Sequence, residues 1–334
     1  MKKFISQEDM KISNICEALA YIRSKEAVTR KEVQEHMGLS WGGASQIVSR
    51  LVALGYVTEC KADSVQSAGR TPAYLKVNTE DNFVVGIDIN LTGISVKVLN
   101  LLNDVLYSDR ADADSACKDA FLSGIYSVLD AVFAKFNSKN IIAVGVAMQG
   151  SIVRESGISV SLPIDGWERV PIKQLISDRY SVSVYVAHDP DCLLTAGMEN
   201  ELSDALLIRV DDGIGMAVMK NGSLISDTGM LELANTYVPG DESKKLCDFH
   251  ADRENPDIFF EKLSFALLNT LIIFNVKNVI VCASELYRTH ELTKALDKHI
   301  HTSLPDASVR DYDINNAAFG AALIAIECFL KNER

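Results

Sequence analysis

Apolar residues recur first at helical spacing and later in alternating and continuous runs, and this change of period divides the chain. Between Met10 and Ala27 the positions Ile12, Ile15, Cys16, Leu19 and Ile22 follow a helical repeat. Thr29, with Glu32 three residues on, has the form of a capping box. It predicts a short helix over Arg30–Met37, closed by Gly38, which is free to take the left-handed conformation of a C-cap. Ser40 is suited to cap a further helix that buries Ala44, Ile47, Val48, Leu51 and Leu54 and stops at Gly55. Two helices around a tight glycine-containing turn make a helix-turn-helix. Tyr56–Cys60 and Ala73–Val77 read as the strands of a hairpin with a polar tip from Lys61 to Gly69, which is a wing.

From Asn82 strands alternate with helices. The strands are expected at Phe83–Ile89, Gly93–Leu99, Val105–Tyr107 and Ile141–Met148, with an amphipathic helix over Ser115–Phe136. A second cycle follows: strands at Val182–Val186, Ala205–Val210, Gly215–Met219 and Asn278–Cys282, and helices at Leu193–Asn200, Phe259–Asn275 and Ala317–Phe329. Hairpins followed by strand–helix alternation imply an α/β domain with a mixed sheet, and the repeated order implies two similar lobes. The expected division is residues 1–77 and residues 78–334.

Composition adds little until charge is split. A hydrophobic share of 48% and a charged share of 23% are ordinary for a globular protein. No apolar run approaches the ~20 residues that span a bilayer, and Met1–Met10 lacks the apolar core of a signal peptide. A cytoplasmic location without a membrane partner is therefore expected. The seven cysteines stand singly, with no CxxC pair, and read as small buried hydrophobes. The net charge of −12 is unevenly spread: residues 1–76 hold 11 Lys/Arg against 8 Asp/Glu (+3), and the remainder 22 against 37 (−15). Phosphate is repelled by an acidic surface, so only the N-terminal module offers a face to DNA.

On that module the second helix would enter the major groove, presenting Ser40, Trp41, Ser45, Gln46, Ser49 and Arg50. Gln46 suits adenine and Arg50 suits guanine or phosphate. Arg70, in the wing segment Ser67–Pro72, would reach a phosphate or the minor groove. Gly42-Gly43 in the first turn costs about 1 kcal/mol per glycine relative to alanine. A winged helix used for protein–protein contact is the other reading of this module.

The motifs and their order resemble the ROK family of repressors, open reading frames and sugar kinases. The residues that carry the resemblance are Gly38–Leu51 and the wing Gly69–Pro72, Gly86–Thr92 as a first phosphate motif, Gly145–Gly150 with the downstream Trp167, His188–Asp191, Gly213–Gly215 with Asn221–Gly222, and Phe319–Leu323. The resemblance implies a winged helix-turn-helix joined to a two-lobed actin/hexokinase-like (ribonuclease H-like) domain. It implies that Asp189 holds the place of the catalytic aspartate, Glu232 that of a sugar-binding glutamate, His188 that of an asparagine and Asn235 that of a sugar-contacting histidine, with Trp167 packing nearby.

The chain departs from the family where phosphate would bind. Asn90 stands in place of a glycine, Asp211-Asp212 in place of small residues, and the strand 278–282 continues into Ala283-Ser284 rather than glycines. Two carboxylates facing a polyphosphate are repulsive by several kcal/mol when poorly screened. Gln149 replaces the proline of the G-x-P-G motif. Of the family's zinc ligands only Cys247 remains, with His250 nearby, too few for a tetrahedral site. Residues 238–256 are expected to form a polar loop. The reading is a DNA-binding transcriptional regulator, a repressor, that acts on a double-stranded operator as a homodimer or higher oligomer. It responds to a sugar or sugar derivative and has no cofactor, metal or kinase activity. The alternatives are a sugar kinase with an accessory DNA-binding domain, and a DNA-binding dimer that takes no ligand.

Overall fold

The computed structural model describes residues 7–61, 73–137, 140–198, 203–225, 231–240, 244–251, 256–284, 287 and 289–332. Its N-terminal module, the head, is built from α1 (Gln7–Arg23), β1 (Val28–Thr29), α2 (Arg30–Met37), α3 (Trp41–Ala53), β2 (Val57–Lys61) and β3 (Ala73–Val77). The capping box forms as the sequence requires, with the Thr29 hydroxyl accepting from the Glu32 amide and Glu32 accepting from the Thr29 amide. Gly38 closes α2 at φ +62°, and Ser40 caps α3 by accepting from the Gly43 amide. The first helix ends at Arg23 rather than Ala27. The chain must turn there, because Val28 and Thr29 pair with Leu75 and Tyr74 as a third strand of the wing sheet. The wing tip, Arg70 included, lies outside the described residues.

The large domain, the body, repeats one topology. In the first lobe β4 (Phe83–Asn90), β5 (Gly93–Asn100) and β6 (Val105–Ala111) form an antiparallel meander. After α4 (Lys118–Lys135), β7 (Ile141–Met148) lies parallel to β4, and β11 (Ser183–His188) parallel to β7. A small sheet of β8 (Ser151–Val153), β9 (Ile158–Ser161) and β10 (Glu168–Val170), followed by α5 (Ile172–Tyr180), is inserted between them.

The second lobe begins with α6 (Asp189–Gly197). Its meander is β12 (Ala205–Val210), β13 (Ile214–Lys220) and β14 (Ser223–Leu224). Beyond α7 (Leu246–Ala251) and α8 (Pro256–Phe274), the parallel strand β15 (Asn278–Ala283) follows. Then come α9 (Thr289–Ser303), β16 (Ser308–Asp311) and α10 (Ala317–Asn332). The strand orders β11-β7-β4-β5-β6 and β14-β13-β12-β15-β16 thus have the same connectivity, a meander extended by two parallel strands.

Helix α10 joins the parts. An added Cβ at Gly86 of β4 would lie 1.8 Å from the Ala318 carbonyl oxygen, and one at Gly145 of β7 2.0 Å from that of Ala321. At Gly320 the helix meets α6 as closely, 1.7 Å from the Cys192 oxygen. Residues 314–331 come nearer to the length and apolarity of a membrane span than the sequence pattern suggests; 44% of them are buried, against both lobes and the head. The far half of α10 (Ala322, Ala325, Ile326, Leu330) shares one hydrophobic cluster with Leu19, Ile22, Val33 and Leu51 of the head and Val84 and Leu99 of the body. The boundary expected at residue 77 is therefore crossed by a continuous core.

Two expectations change. The segment 238–256 is not wholly a loop: Leu246 and His250, four apart on α7, are buried, so its polar residues face outward from a packed helix. The helix expected from Leu193 begins at Asp189, because Pro190 fits a first helical turn, where no amide donor is needed. Replacing Gly145 with alanine forces α10 off the sheet. It is expected to lower stability by on the order of 3 kcal/mol, read as a fall in melting temperature and in denaturant midpoint. An unchanged melting temperature would disprove this packing.

Candidate functional site

The face expected to read DNA is formed by α3. Ser40, Trp41, Gln46, Ser49 and Arg50 are exposed and Ser45 is half-buried; Trp41 is 56% exposed, unusual for so large an apolar ring. The hydroxyls have other duties. Ser40 caps the helix, while Arg30 of α2 donates to the Ser45 carbonyl (3.1 Å), the Ser45 hydroxyl (3.2 Å) and the Ser49 hydroxyl (3.1 Å). Arg30 also pairs with Glu59 of β2, so one guanidinium fixes α3 against the wing. Trp41, Gln46 and Arg50 remain exposed on the outer face of α3. Arg30 was not foreseen, since a lone arginine at a helix start carries no sequence signal of its role.

The second site is a cleft of about 390 Å³ between the lobes, at the carboxyl ends of the parallel strands. It is lined by Gln149, His188, Asp189, Arg209, Asp212 and Glu232 among others. His188 ends β11 and Asp189 begins α6, so the strand-to-helix turn aims both inward. Asn235 is exposed outside the lining; its amide donates to Glu232 (3.0 Å), so it acts on the cleft through that carboxylate. Trp167 is not at the site. It is buried in the first-lobe core, edge-on to Phe121 at 5.2 Å, with its indole N–H donating to Ser159 (2.9 Å).

The centre of the cleft wall is Arg209. It sits in the otherwise apolar strand Ala205–Val210 and is only 9% exposed. One guanidinium nitrogen pairs with Asp189 and the other with Asp211 at 3.1 Å. Asp189 is 3% exposed, and its second oxygen is 3.4 Å from His188 Nε2. Each of its oxygens thus has a cationic or imidazole neighbour that fixes the carboxylate at the cleft wall. Asp88 lies in the same cluster and accepts from the Asn90 amide (3.1 Å). Burial pushes the Asp88 carboxyl up to about 7, with the charge of Asp189 adding and that of Arg209 opposing. The sequence did contain a signal for this hub, because a charge inside an apolar strand must find a partner.

The phosphate-binding departures have structural roles. Asn90 accepts from the Thr92 amide and hydroxyl, filling the turn that a glycine would leave open. Asp211 is held by Arg209, and its carbonyl lies 2.9 Å from His250 Nε2, which is also 2.7 Å from the Tyr287 hydroxyl. His250 stacks on Tyr287 and meets Phe259 edge-on. The residues present do not fit a zinc ion: Asn235 is an amide bonded to Glu232, and His250 is turned into an aromatic pocket away from metal-ligand chemistry.

The proton on Asp88 makes stability depend on pH. The folded state holds it up to about 7 and the unfolded state only to about 3.8, so folding grows less favourable as pH rises between these values. Asp88→Asn removes that cost. Its stability gain is expected to be absent near pH 4, to grow with pH and to level off above 7 at on the order of 4 kcal/mol. Thermal unfolding of both proteins across this range measures it; a gain that does not vary with pH contradicts the buried-proton account.

Residues 84–235 match the ROK family. Over 213 residues the chain is 22% identical to the xylose repressor of Caldicellulosiruptor bescii, a match covering 62% of this chain and 53% of that protein. It is 21% identical over 205 residues to the DNA-binding transcriptional dual regulator NagC of Escherichia coli, covering 59% and 50%. The chain thus spans about half the length of these relatives. A solved ROK family transcriptional regulator, a homologue of the E. coli MLC protein, superposes with a TM-score of 0.75 at 14% identity, covering 97% of both chains. A ROK family glucokinase from Streptomyces griseus, in complex with glucose and AMPPNP, superposes with a TM-score of 0.57 at 15% identity over 74% of this chain. The repeated lobes, the interlobe cleft and the matched stretch agree: residues 84–235 lie within a ROK family domain, carried here on one chain with a winged helix-turn-helix.

Proposed function

We propose that this protein is a DNA-binding transcriptional regulator of the repressor type whose body senses a sugar or sugar derivative without phosphorylating it. The observation that carries the reading is the outward face of α3, where Trp41, Gln46 and Arg50 project from a head of charge +3 on a body of charge −15. Only that face attracts a phosphate backbone. Arg30 orients it, and Arg70, in the wing segment of the sequence, would add a phosphate contact. One such head covers little DNA, so a homodimer on paired half-sites is the working unit. The names of the relatives, a xylose repressor and NagC, support the same reading.

In the cleft, Asp189, His188 and Glu232, the last oriented by Asn235, offer acceptors and donors for vicinal hydroxyls. Arg209 holds Asp189 as a recognition group rather than a base, and Asn90 and Asp211, where the resemblance puts phosphate-binding residues, are tied instead to Thr92 and Arg209. The effector would act by binding two placements of the heads with different affinity.

Selection of duplex DNA from a random pool, repeated at several salt concentrations, tests the reading. Enrichment of a paired motif is expected, with affinity falling steeply as salt rises. Arg50→Ala is expected to weaken binding, and Gln46→Ala to relax base preference at one position of each half-site by about 1–3 kcal/mol of discrimination. No enriched sequence at any salt would contradict the proposal. Incubation with ATP, Mg²⁺ and a panel of hexoses is expected to give no sugar phosphate; turnover would restore Asp189 as a base and sink the sensing assignment.

A further inference from the structure

Besides the interlobe cleft, a pocket of about 520 Å³ lies where the head meets the body. One wall is α1, contributing Cys16, Ala20 and Arg23. The other is α10, contributing Leu323, Ile326 and Leu330. The β5–β6 turn closes one end with Asn103, held at φ +70°, and α6 adds Thr195.

The charges here are unequal in their needs. Lys331 and Glu327, one turn apart on α10, neutralise each other, and Glu17 is exposed at the rim. The Thr195 hydroxyl is spent on the Asp191 carbonyl. Arg23 is half-buried and donates to the Asn103 side-chain oxygen, a neutral acceptor. Burial holds its guanidinium below the ordinary arginine value, and among the described residues no carboxylate pairs with it. A guanidinium has five donors in a planar fork suited to a carboxylate or phosphate, and a partly desolvated one is costly without a counter-charge. Opposite it runs an apolar strip along α10.

We propose that this pocket binds a small organic anion, a carboxylate or phosphate monoester with an apolar body. Its acid group pairs with Arg23, and its body lies on Leu323, Ile326 and Leu330. The site is distinct from the interlobe cleft and does not depend on what the cleft holds. Because α1 belongs to the head and α10 to the body, an occupant touches both and sets the angle between them. Such a ligand stabilises one placement of the head over others, which is the condition for a change in affinity elsewhere.

Calorimetric titration of the full chain tests the site with phenyl phosphate, benzoate, inorganic phosphate and benzyl alcohol. Phenyl phosphate and benzoate are expected to bind, inorganic phosphate more weakly, and the uncharged alcohol not at all. Arg23→Met keeps the stem and removes the charge, and should weaken phenyl phosphate binding by about ten-fold or more. Arg23→Lys should retain part of it. Ala20→Phe, at an exposed position on the pocket wall, should block both aromatic anions while leaving the fold intact by circular dichroism. Wild-type affinity in Arg23→Met or Ala20→Phe would overturn the assignment. So would no binding of either aromatic anion by wild type below about 10 mM, weaker than any millimolar site.

Discussion

The contact on which the rest depends is the backbone-to-backbone approach of α10 to the first-lobe sheet. Gly86 and Gly145 leave no room for a Cβ, so the helix lies directly on β4 and β7, and Gly320 brings it as close to α6. This is tight packing of the kind that transmits displacement rather than absorbing it. Gly86 is two residues from Asp88, and Cys192 is three residues from Asp189, so the cleft is held by elements that α10 clamps. The same helix then runs out under the head, where Ile326 and Leu330 share a core with Leu19 and Leu51. Cleft, lever and head form one packed series.

Within the cleft, charge balance decides what chemistry remains. Arg209 faces Asp88, Asp189 and Asp211, and although burial opposes it, the three carboxylates keep its guanidinium above the ordinary value. One cation cannot satisfy three anions in a desolvated site, and Asp88 answers by keeping its proton to about 7. The arrangement leaves the cleft wall with one buried cation held among carboxylates. The proposed sensing role rests on that balance, and at Asn90 and Asp211 side chains with structural partners stand where the resemblance puts phosphate-binding residues.

Much of this was legible in the sequence where a local rule determines the structure. The Thr29–Glu32 capping box, the left-handed Gly38, the Ser40 cap and the strand Ala73–Val77 each follow from a few adjacent residues. The repeated order of strands and helices exposed the two lobes. Long-range partners were not legible. Nothing near Arg30 announces Ser45 or Ser49, and nothing near Trp167 says that it packs on Phe121 rather than in the cleft. The polar sequence around α7 concealed a two-residue buried stripe, Leu246 and His250, too short for a periodic signal. The small sheet β8–β10 and α5 were missed for the same reason, each burying only a few side chains. Helix α9 is different: Leu292, Leu296 and Ile300 at four-residue spacing were there to be read.

In the proposed regulator the cleft and the head are coupled through α10, and coupling between two sites is a free energy that binding can measure directly. The decisive measurement is the affinity of the full chain for its selected DNA, by fluorescence anisotropy. It is made with and without a saturating amount of the sugar that most raises the chain's melting temperature. A sensor that biases head placement predicts a change in dissociation constant of about five-fold or more. An affinity identical in both conditions, with the sugar demonstrably bound, would contradict it.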